Sequence, residues 1–139
     1  MDHLESVTGK TLEKVLYHEW ISDEYTSLDW IQFLFSDKAC VCFNIGSDDA
    51  TIDVLPSFDP EAEQKELFEL FGERDVTVRT TDHSDTRKWK NYIGEKITGY
   101  QTEETDDGPL KSVSIFFGGK GILISAGQDN LEAKALTKQ

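Results

Sequence analysis

The sequence has few cysteines, few prolines and no long apolar run. Its 139 residues include two cysteines and three prolines, and no hydrophobic stretch approaches the ~20 residues that a membrane-spanning helix needs. Cys40 and Cys42 are one residue apart, so on a strand both would point to the same face. Two thiolates do not complete the four-ligand shell of zinc. We therefore expect two small structural thiols, no metal and no membrane segment.

Basic residues are scarce relative to acidic ones. Lys and Arg total 14 against 27 Asp and Glu, which gives a formal net charge of −13. A surface of this sign repels phosphate, so it argues against direct binding of nucleic acid. It favours either a basic protein partner or simple solubility. The N-terminal residues lack the basic-then-apolar pattern of a secretion signal, and we expect a cytoplasmic protein.

The acidic residues are concentrated in two blocks of the sequence. Residues 47–75 hold 10 acids and 2 bases, and residues 101–110 hold 4 acids and no base. A coat that only confers solubility would spread its charge more evenly. The residues predicted to bind a partner are Asp48, Asp49, Asp53, Asp59, Glu61, Glu63 and Glu66 in the first block, and Glu103, Glu104, Asp106 and Asp107 in the second. For any single one of them, solvation or turn formation is the simpler explanation.

The glycine-rich segment FFGGKGILIS, at 116–125, predicts a β-hairpin. Short β-prone apolar runs stand on both sides of the glycines, at 113–117 and 122–126. A phosphate-binding loop needs a helix after the glycines, whereas this sequence continues into a second strand. Two apolar runs around a tight turn also occur at 31–35 and 39–45, which predicts a second hairpin.

The two hairpins lie within segments that have the same order of elements. The segments at 5–55 and 90–136 each contain a lead-in with a glycine, Gly9 or Gly94, followed by four predicted strands. We interpret them as copies of one module joined by a helical linker at 56–89. The sequence thus predicts a single α+β domain, an internally duplicated antiparallel β-meander with about four strands per half and one to three covering helices.

The linker contains a clear helix start. Asp59 is a capping carboxylate, Pro60 suits the first helical position, and Gly72 is typical of a helix end. The apolar face that packs on the sheet is predicted to consist of Leu67, Phe68, Leu70 and Phe71.

Two more elements are predicted before the second half. Residues 76–80 are predicted to form a short strand, and a short helix capped by Ser84 or Asp85 follows. Trp89 and Tyr92 lie three residues apart on one face of that helix. We expect both aromatic side chains to anchor it in the core.

No group of residues in the sequence has the spacing of a catalytic or metal site. The Asp-His-Ser-Asp run at 82–85 is consecutive, so its groups cannot converge on one substrate atom as a nucleophilic triad does. His18 lacks the second histidine of a zinc-protease motif. The acids at 48–53 lack the glycine and terminal glutamate of a calcium loop. We expect no enzymatic activity, no cofactor and no metal.

The stretch WKNYIGEKI at 89–97, followed by a polar loop and an apolar hairpin, resembles small uncharacterised bacterial domains of the toxin-immunity neighbourhood. The resemblance implies no catalytic residue. With the charge, it predicts an acidic, non-catalytic binding protein, an immunity-type inhibitor that neutralises a basic toxin such as a nuclease. Two alternatives remain open: a phage-type inhibitor that mimics nucleic acid, and an enzyme with an unrecognised pocket.

Overall fold

A computed structural model describes residues 3–22, 26–45, 51–71, 76–106, 108–127 and 130–137. These residues form two helices and nine strands. The helices are α1 (His3–Val7) and α2 (Pro60–Phe71), and the strands are β1 (Leu12–Ile21), β2 (Thr26–Phe35), β3 (Cys40–Ile45), β4 (Ile52–Leu55), β5 (Thr77–Asp82), β6 (Gly99–Glu104), β7 (Leu110–Phe117), β8 (Lys120–Ala126) and β9 (Leu131–Thr137). Among these residues, neither helix has the length and apolar character needed to cross a bilayer.

The nine strands form one antiparallel sheet. Its order is β5-β1-β2-β3-β4-β7-β8-β9, and β6 pairs with β7 on the edge opposite β8. A single bridge, Ile52 to Leu110, joins β4 to β7. The sheet curls into a half-barrel, and Asn130 Oδ1 accepts a hydrogen bond from Leu28 N at 2.7 Å where β9 approaches β2. The predicted α+β class with antiparallel strands is confirmed.

The core fills the concave face of the sheet. Alternate residues of the strands point inward, as the two-residue period of a β strand requires. The fully buried inward residues include Val15, Ile31, Phe33, Val41 and Phe43 from the first three strands, and Val113, Ile115, Ile122 and Ile124 from β7 and β8. Helix α1 adds Leu4 and Val7 to the same cluster.

Both predicted hairpins are present. In β2–β3 Phe33 pairs with Val41, and in β7–β8 Ile115 pairs with Ile122. The glycines at 118–119 form the turn between β7 and β8, and Gly118 has a φ of 69°. The segment is therefore a turn between two strands, as the sequence predicted, and no helix follows it.

The predicted helix at 84–93 is wrong, because the structure has a series of turns there. Ser84 caps no helix; its hydroxyl accepts a hydrogen bond from Val15 N at 3.0 Å. Trp89 and Tyr92 are nevertheless core residues, as expected. The Trp89 indole donates to Tyr17 Oη at 2.7 Å and the Tyr92 hydroxyl donates to the Gly121 carbonyl at 2.8 Å. These two polar contacts connect the irregular segment to β1 and β8.

The linker at 56–89 is only partly helical. It contains α2 and then β5, which confirms the strand predicted at 76–80. Strand β5 pairs with the outer edge of β1, where Tyr17 faces Thr81. The linker therefore adds a ninth strand and does more than cover the sheet.

The two glycine-containing lead-ins pair with each other. Gly9 N donates to the carbonyl of Ile97 at 2.8 Å, and Gly94 N donates to the carbonyl of Leu12 at 2.8 Å. Gly9 has a φ of +90° and Gly94 a φ of +87°. These bonds close the end of the sheet where α1 lies.

Candidate partner-binding surface

Helix α2 begins as its sequence predicts. Asp59 Oδ1 accepts hydrogen bonds from Glu61 N at 3.0 Å and Ala62 N at 3.3 Å, which satisfies two of the free N–H groups at a helix start. Glu61 and Glu66 are exposed. Acids at this helix end also interact favourably with the helix dipole. Asp59, Glu61 and Glu66 are thus on the surface, and Asp59 also caps the helix.

Glu63 has a different environment, and its prediction as a surface contact is wrong. Only 7% of the residue is exposed. Its Oε2 accepts a hydrogen bond from Trp20 Nε1 at 2.8 Å and another from Trp30 Nε1 at 3.0 Å. The carboxylate therefore attaches α2 to the outer face of the sheet and is not available to a partner.

The apolar face predicted for α2 is right at Leu67 and wrong at Phe68 and Leu70, and the side chain of Phe71 lies outside the described residues. Leu67 is buried, one helical turn after Glu63. Phe68 and Leu70, however, are 58% and 62% exposed. The helix face that packs on the sheet contains Glu63 and Leu67, so residues one and three positions after Leu67 point away from it.

A polar and aromatic layer lies beneath α2, on the outer face of β1 and β2. His18 is only 2% exposed. Its Nδ1 lies 2.7 Å from Thr80 Oγ1 and its Nε2 lies 2.7 Å from Gln32 Oε1. Phe58 stacks on the imidazole, with ring centroids 3.7 Å apart. Burial lowers the pKa of His18, and the Gln32 hydrogen bond partly opposes this.

The polar groups of this layer are hydrogen-bonded to one another, so the layer supports the fold. Gln32 Nε2 continues the chain of contacts to Cys40 Sγ at 3.7 Å, and Cys40 Sγ donates to the Pro56 carbonyl at 3.0 Å. Cys42 is buried, and burial raises the pKa of its thiol well above the ordinary value. Neither cysteine forms a disulfide, and the raised pKa of Cys42 disfavours its reactive thiolate.

A different surface forms where nine strand ends meet, and we call it the acidic end. Strands β1, β3, β6 and β8 finish here, and β2, β4, β5, β7 and β9 begin here, as the pairs Ile21–Thr77, Ile45–Ile52 and Ala126–Leu131 show. Leu110 pairs with both Ile52 and Glu104. This contact brings the beginning of the first acidic block, at Ile52, beside the second block.

Several predicted residues are therefore assembled at the acidic end. The predicted acids that the structure describes at this end are Asp53, Glu103, Glu104 and Asp106, and all four are exposed. Glu103 forms an ion pair with Lys111 at 3.3 Å, but both side chains are more than half exposed, so the pair is weak and exchangeable. Asp48, Asp49 and Asp107 lie outside the described residues. Asp59, Glu61 and Glu66 belong to a separate surface on α2.

The sequences of the four hairpin connections that join these strand ends share one sign of charge. Residues 22–25, 46–51, 105–109 and 127–130 contain seven acids, Asp23, Glu24, Asp48, Asp49, Asp106, Asp107 and Asp129, and no Lys or Arg. Residues 72–75, which join α2 to β5, hold two acids and one base. Asp23, Glu24 and Asp129 lie outside the two acidic blocks of the sequence and outside the described residues.

Next to the acidic end, the outer face of β6, β7 and β8 carries a shallow groove of about 640 Å³. Its lining is rich in hydroxyl and amide groups: Gln101, Thr102, Glu103, Lys111, Ser112, Ser114, Leu123, Ser125 and Ala126. Among the residues that the structure describes, no three His, Cys, Asp or Glu side chains are grouped to hold a metal. The groove and the acidic end can accept hydrogen bonds and attract cations.

No family model, curated protein or solved structure matches this chain. The resemblance of residues 89–97 to toxin-immunity domains therefore stays a prediction. Function has to be inferred from the surface itself.

Proposed function

We propose that this protein is an acidic, non-catalytic inhibitor of the immunity type, which neutralises a basic toxin such as a nuclease by binding it through the acidic end. The observation that carries the proposal is the convergence of exposed acids from separate segments. Asp53 follows the Ile52–Leu110 bridge, and Glu103, Glu104 and Asp106 lie on the other side of it. We place this action in the cytoplasm, where a toxin would meet its target.

Electrostatic attraction explains what such a surface would do. Clustered like charges create a field that raises the rate of encounter with a partner of opposite sign. A nuclease needs basic residues to hold phosphate, so an acidic inhibitor can occupy the same residues. The steering is screened over about 10 Å at 0.1 M salt, so association should slow markedly as salt rises.

The first experiment tests rescue in the source cell. The protein is used as bait at low salt, captured proteins are identified by mass spectrometry, and each basic candidate is then expressed alone and with the bait. We expect one candidate to arrest growth alone and growth to recover on co-expression. A variant with Asp53→Lys, Glu104→Lys and Asp106→Lys should lose the rescue and slow association with the purified candidate.

Two charge reversals of the same kind at the opposite end of the sheet provide the control. Glu13 and Glu95 are exposed there, and Glu13→Lys with Glu95→Lys should leave rescue intact. The pair Glu61→Lys and Glu66→Lys measures whether the acids of α2 contribute as well. Equal rescue by the wild type and by the acidic-end variant would contradict the proposal. Capture of a nucleic-acid-binding host protein without toxicity would instead favour mimicry of nucleic acid.

We also propose that the two halves of the sheet arose by duplication of a four-strand module. Strands β1–β4 and β6–β9 are consecutive antiparallel meanders. When the halves are aligned so that Gly9 matches Gly94 and Phe33 matches Ile115, the cross-strand pair Val15–Phe33 matches the pair Tyr100–Ile115. The inward core pairs that follow also correspond, Phe33–Val41 with Ile115–Ile122, when the second hairpin is taken as one residue shorter than the first.

The pairing between the lead-ins supports the same proposal. The hydrogen bonds between the lead-ins are symmetric. The bond from Gly9 N to Ile97 O in one direction has its equivalent in the bond from Gly94 N to Leu12 O in the other. Two further bonds correspond in the same way, from Leu12 N to Glu95 O at 3.0 Å and from Ile97 N to Lys10 O at 3.1 Å. A crystal structure tests this: superposition of β1–β4 on β6–β9 should require a near two-fold rotation and place Gly9 on Gly94. Any other correspondence of the glycines would contradict duplication.

A further inference from the structure

The strands that open the two meanders, β1 and β6, differ in what lies against their outer edge and outer face. In the first half, β5 pairs with the outer edge of β1 from Leu16 to Ile21. Helix α2 covers the outer face of the same strand through the Glu63–Trp20 hydrogen bond. The unit made of α2 and β5 thus covers both the edge and the face of the first half. Gln64 joins its two parts, since its side chain bonds to Val76 O and Val78 N, each at 3.0 Å.

Strand β6 opens the second meander without such a cover. Within the described ranges, β7 is the strand that pairs with β6, and none pairs with its other edge. Residues 101–104 along that edge are exposed. The outer face beside it is the groove over β6, β7 and β8. An open edge and an open face therefore adjoin in the second half at the place that α2 and β5 fill in the first.

An open edge offers backbone N–H and C=O groups that can pair with an added strand. The edge of β6 ends with Glu103 and Glu104, and Asp106 of the acidic end follows two residues later in the sequence. The edge of β5 differs, because Arg79 stands among its exposed residues and pairs with Glu19 at 3.0 Å. The edge strand β9 likewise mixes Glu132 with Lys134. Of these three strands, β6 presents exposed carboxylates alone.

This charge decides between possible occupants of the edge. A second copy of the chain paired antiparallel over residues 101–104 would place four carboxylates, Glu103 and Glu104 of each copy, in one short ladder without a cation, and like charges near each other on paired strands are destabilising. The net charge of −13 on each copy adds a general repulsion. A strand that carries Lys or Arg would instead place its cations against the same carboxylates and displace the weak Lys111–Glu103 pair.

We propose that the open edge of β6, with the adjoining groove, binds an extended basic segment of the partner by strand addition. Residues 101–104 supply the backbone hydrogen bonds, Glu103 and Glu104 pair with basic side chains, and Ser112, Ser114 and Ser125 face the side chains that enter the groove. This inference rests on the proposed function, since it assumes a basic partner, and it names the segment that the partner contributes.

The test uses defined peptides and amide hydrogen exchange. The probe is an end-capped eight-residue peptide of alternating Lys and Val, and its charge-inverted counterpart has Glu in place of Lys. A third peptide keeps the Lys–Val sequence but is N-methylated at every residue, which removes the donors for strand pairing. With the Lys–Val peptide at saturation and low salt, the exchange of β6 amides should slow about tenfold. The amides of β5 should not change.

The two comparison peptides separate strand addition from charge attraction. We expect the Glu–Val peptide not to bind and the N-methylated peptide to bind at least about tenfold more weakly than the parent. Equal binding of the parent and N-methylated peptides, or unchanged β6 exchange at saturation, would overturn strand addition. Failure of the Lys–Val peptide to bind at low salt would overturn it too.

Two protein variants complete the experiment. Glu103→Gln with Glu104→Gln should weaken the Lys–Val peptide about tenfold, whereas Glu13→Gln with Glu95→Gln should not. Failure of this inference is distinguishable from failure of the proposed function. Toxin rescue without protection of β6 in the purified complex would leave the function standing and refute strand addition. Protection of β6 by the peptide without any toxin to rescue would refute the function alone.

Discussion

Trp30 donates its indole N–H to Glu63 at 3.0 Å, and this buried bond attaches helix α2 to the outer face of the sheet. Trp20 donates to the same carboxylate oxygen at 2.8 Å. Replacement of the Glu63 side chain by a methyl group would remove the acceptor of the Trp30 donor from a buried contact and that of the Trp20 donor from a part-buried one. The contact therefore has a structural role that the acidic character of the helix conceals.

Glu63→Ala should lower the free energy of unfolding by about 1–3 kcal/mol, because a buried donor without a partner costs that much. Urea denaturation followed by tryptophan fluorescence measures it. Glu61→Ala is the matched control on the exposed face of the same helix, with an expected change within about 0.5 kcal/mol. Equal effects of the two substitutions would show that the Glu63 contacts do not stabilise the protein.

Two histidines should make stability depend on pH. Burial lowers the pKa of His18 against the opposing Gln32 hydrogen bond, and burial lowers the pKa of His83 against the opposing charges of Glu19 and Asp82. The unfolded chain therefore binds more protons than the folded chain once the pH falls below about 6.5. Stability should be full above that pH and decline towards the lower pKa values of the folded state.

Urea unfolding at a series of pH values from 7.5 to 5, at about 0.1 M salt, measures this decline. His18→Gln should flatten the dependence, since glutamine does not titrate. A free energy of unfolding that stays constant or rises as the pH falls through this window would contradict the assigned direction.

The hairpins and the start of α2 were predictable because their signals are local. The Gly118–Gly119 turn and the Asp59-Pro60 pair specify structure within a few residues. The burial of Glu63 has no local signal: its two indole partners lie 43 and 33 residues earlier in the chain. A helical pattern alone would place apolar Phe68, not acidic Glu63, against the sheet.

The turns at 84–94 and the acidic end show two further limits of prediction from local sequence. Trp89 and Tyr92 have helical spacing, but the hydrogen bonds to Tyr17 and Gly121 override that local preference. The acidic end depends on which connections share one end of the sheet. In a meander, every second connection lies at the same end of the sheet. That rule could have predicted that the connection with Asp106 and the connection at 46–51 share one end. It could not have predicted the bridge from Ile52 to Leu110.

The two cysteines should differ in reactivity. Burial and the neighbouring Cys40 thiol raise the pKa of Cys42, so its reactive thiolate is rare in the folded protein. Cys40 is partly exposed. In native protein at pH 8, iodoacetamide should leave Cys42 unmodified until denaturant is added, as mass spectrometry of peptides would show. A Cys40→Ala variant isolates Cys42, and its rapid labelling in native protein would contradict this burial.

Gly9 and Gly94 should tolerate alanine equally poorly. Their φ values of +90° and +87° belong to a region that is costly for residues with a Cβ, although a Cβ added at either site would meet no atom within 4 Å. Gly9→Ala and Gly94→Ala should therefore each lower the free energy of unfolding by about 1–2 kcal/mol through backbone conformation alone.

Gly99→Ala is the control for this pair of substitutions. Gly99 also has open space around its Cα, but its φ is not positive. We expect a change within about 0.5 kcal/mol there, or a slight gain from the less flexible unfolded chain. If Gly99→Ala costs as much as Gly9→Ala, backbone conformation is not the cause. If Gly94→Ala alone is neutral, the two lead-ins do not carry equivalent strain, and the proposed duplication loses one of its supports.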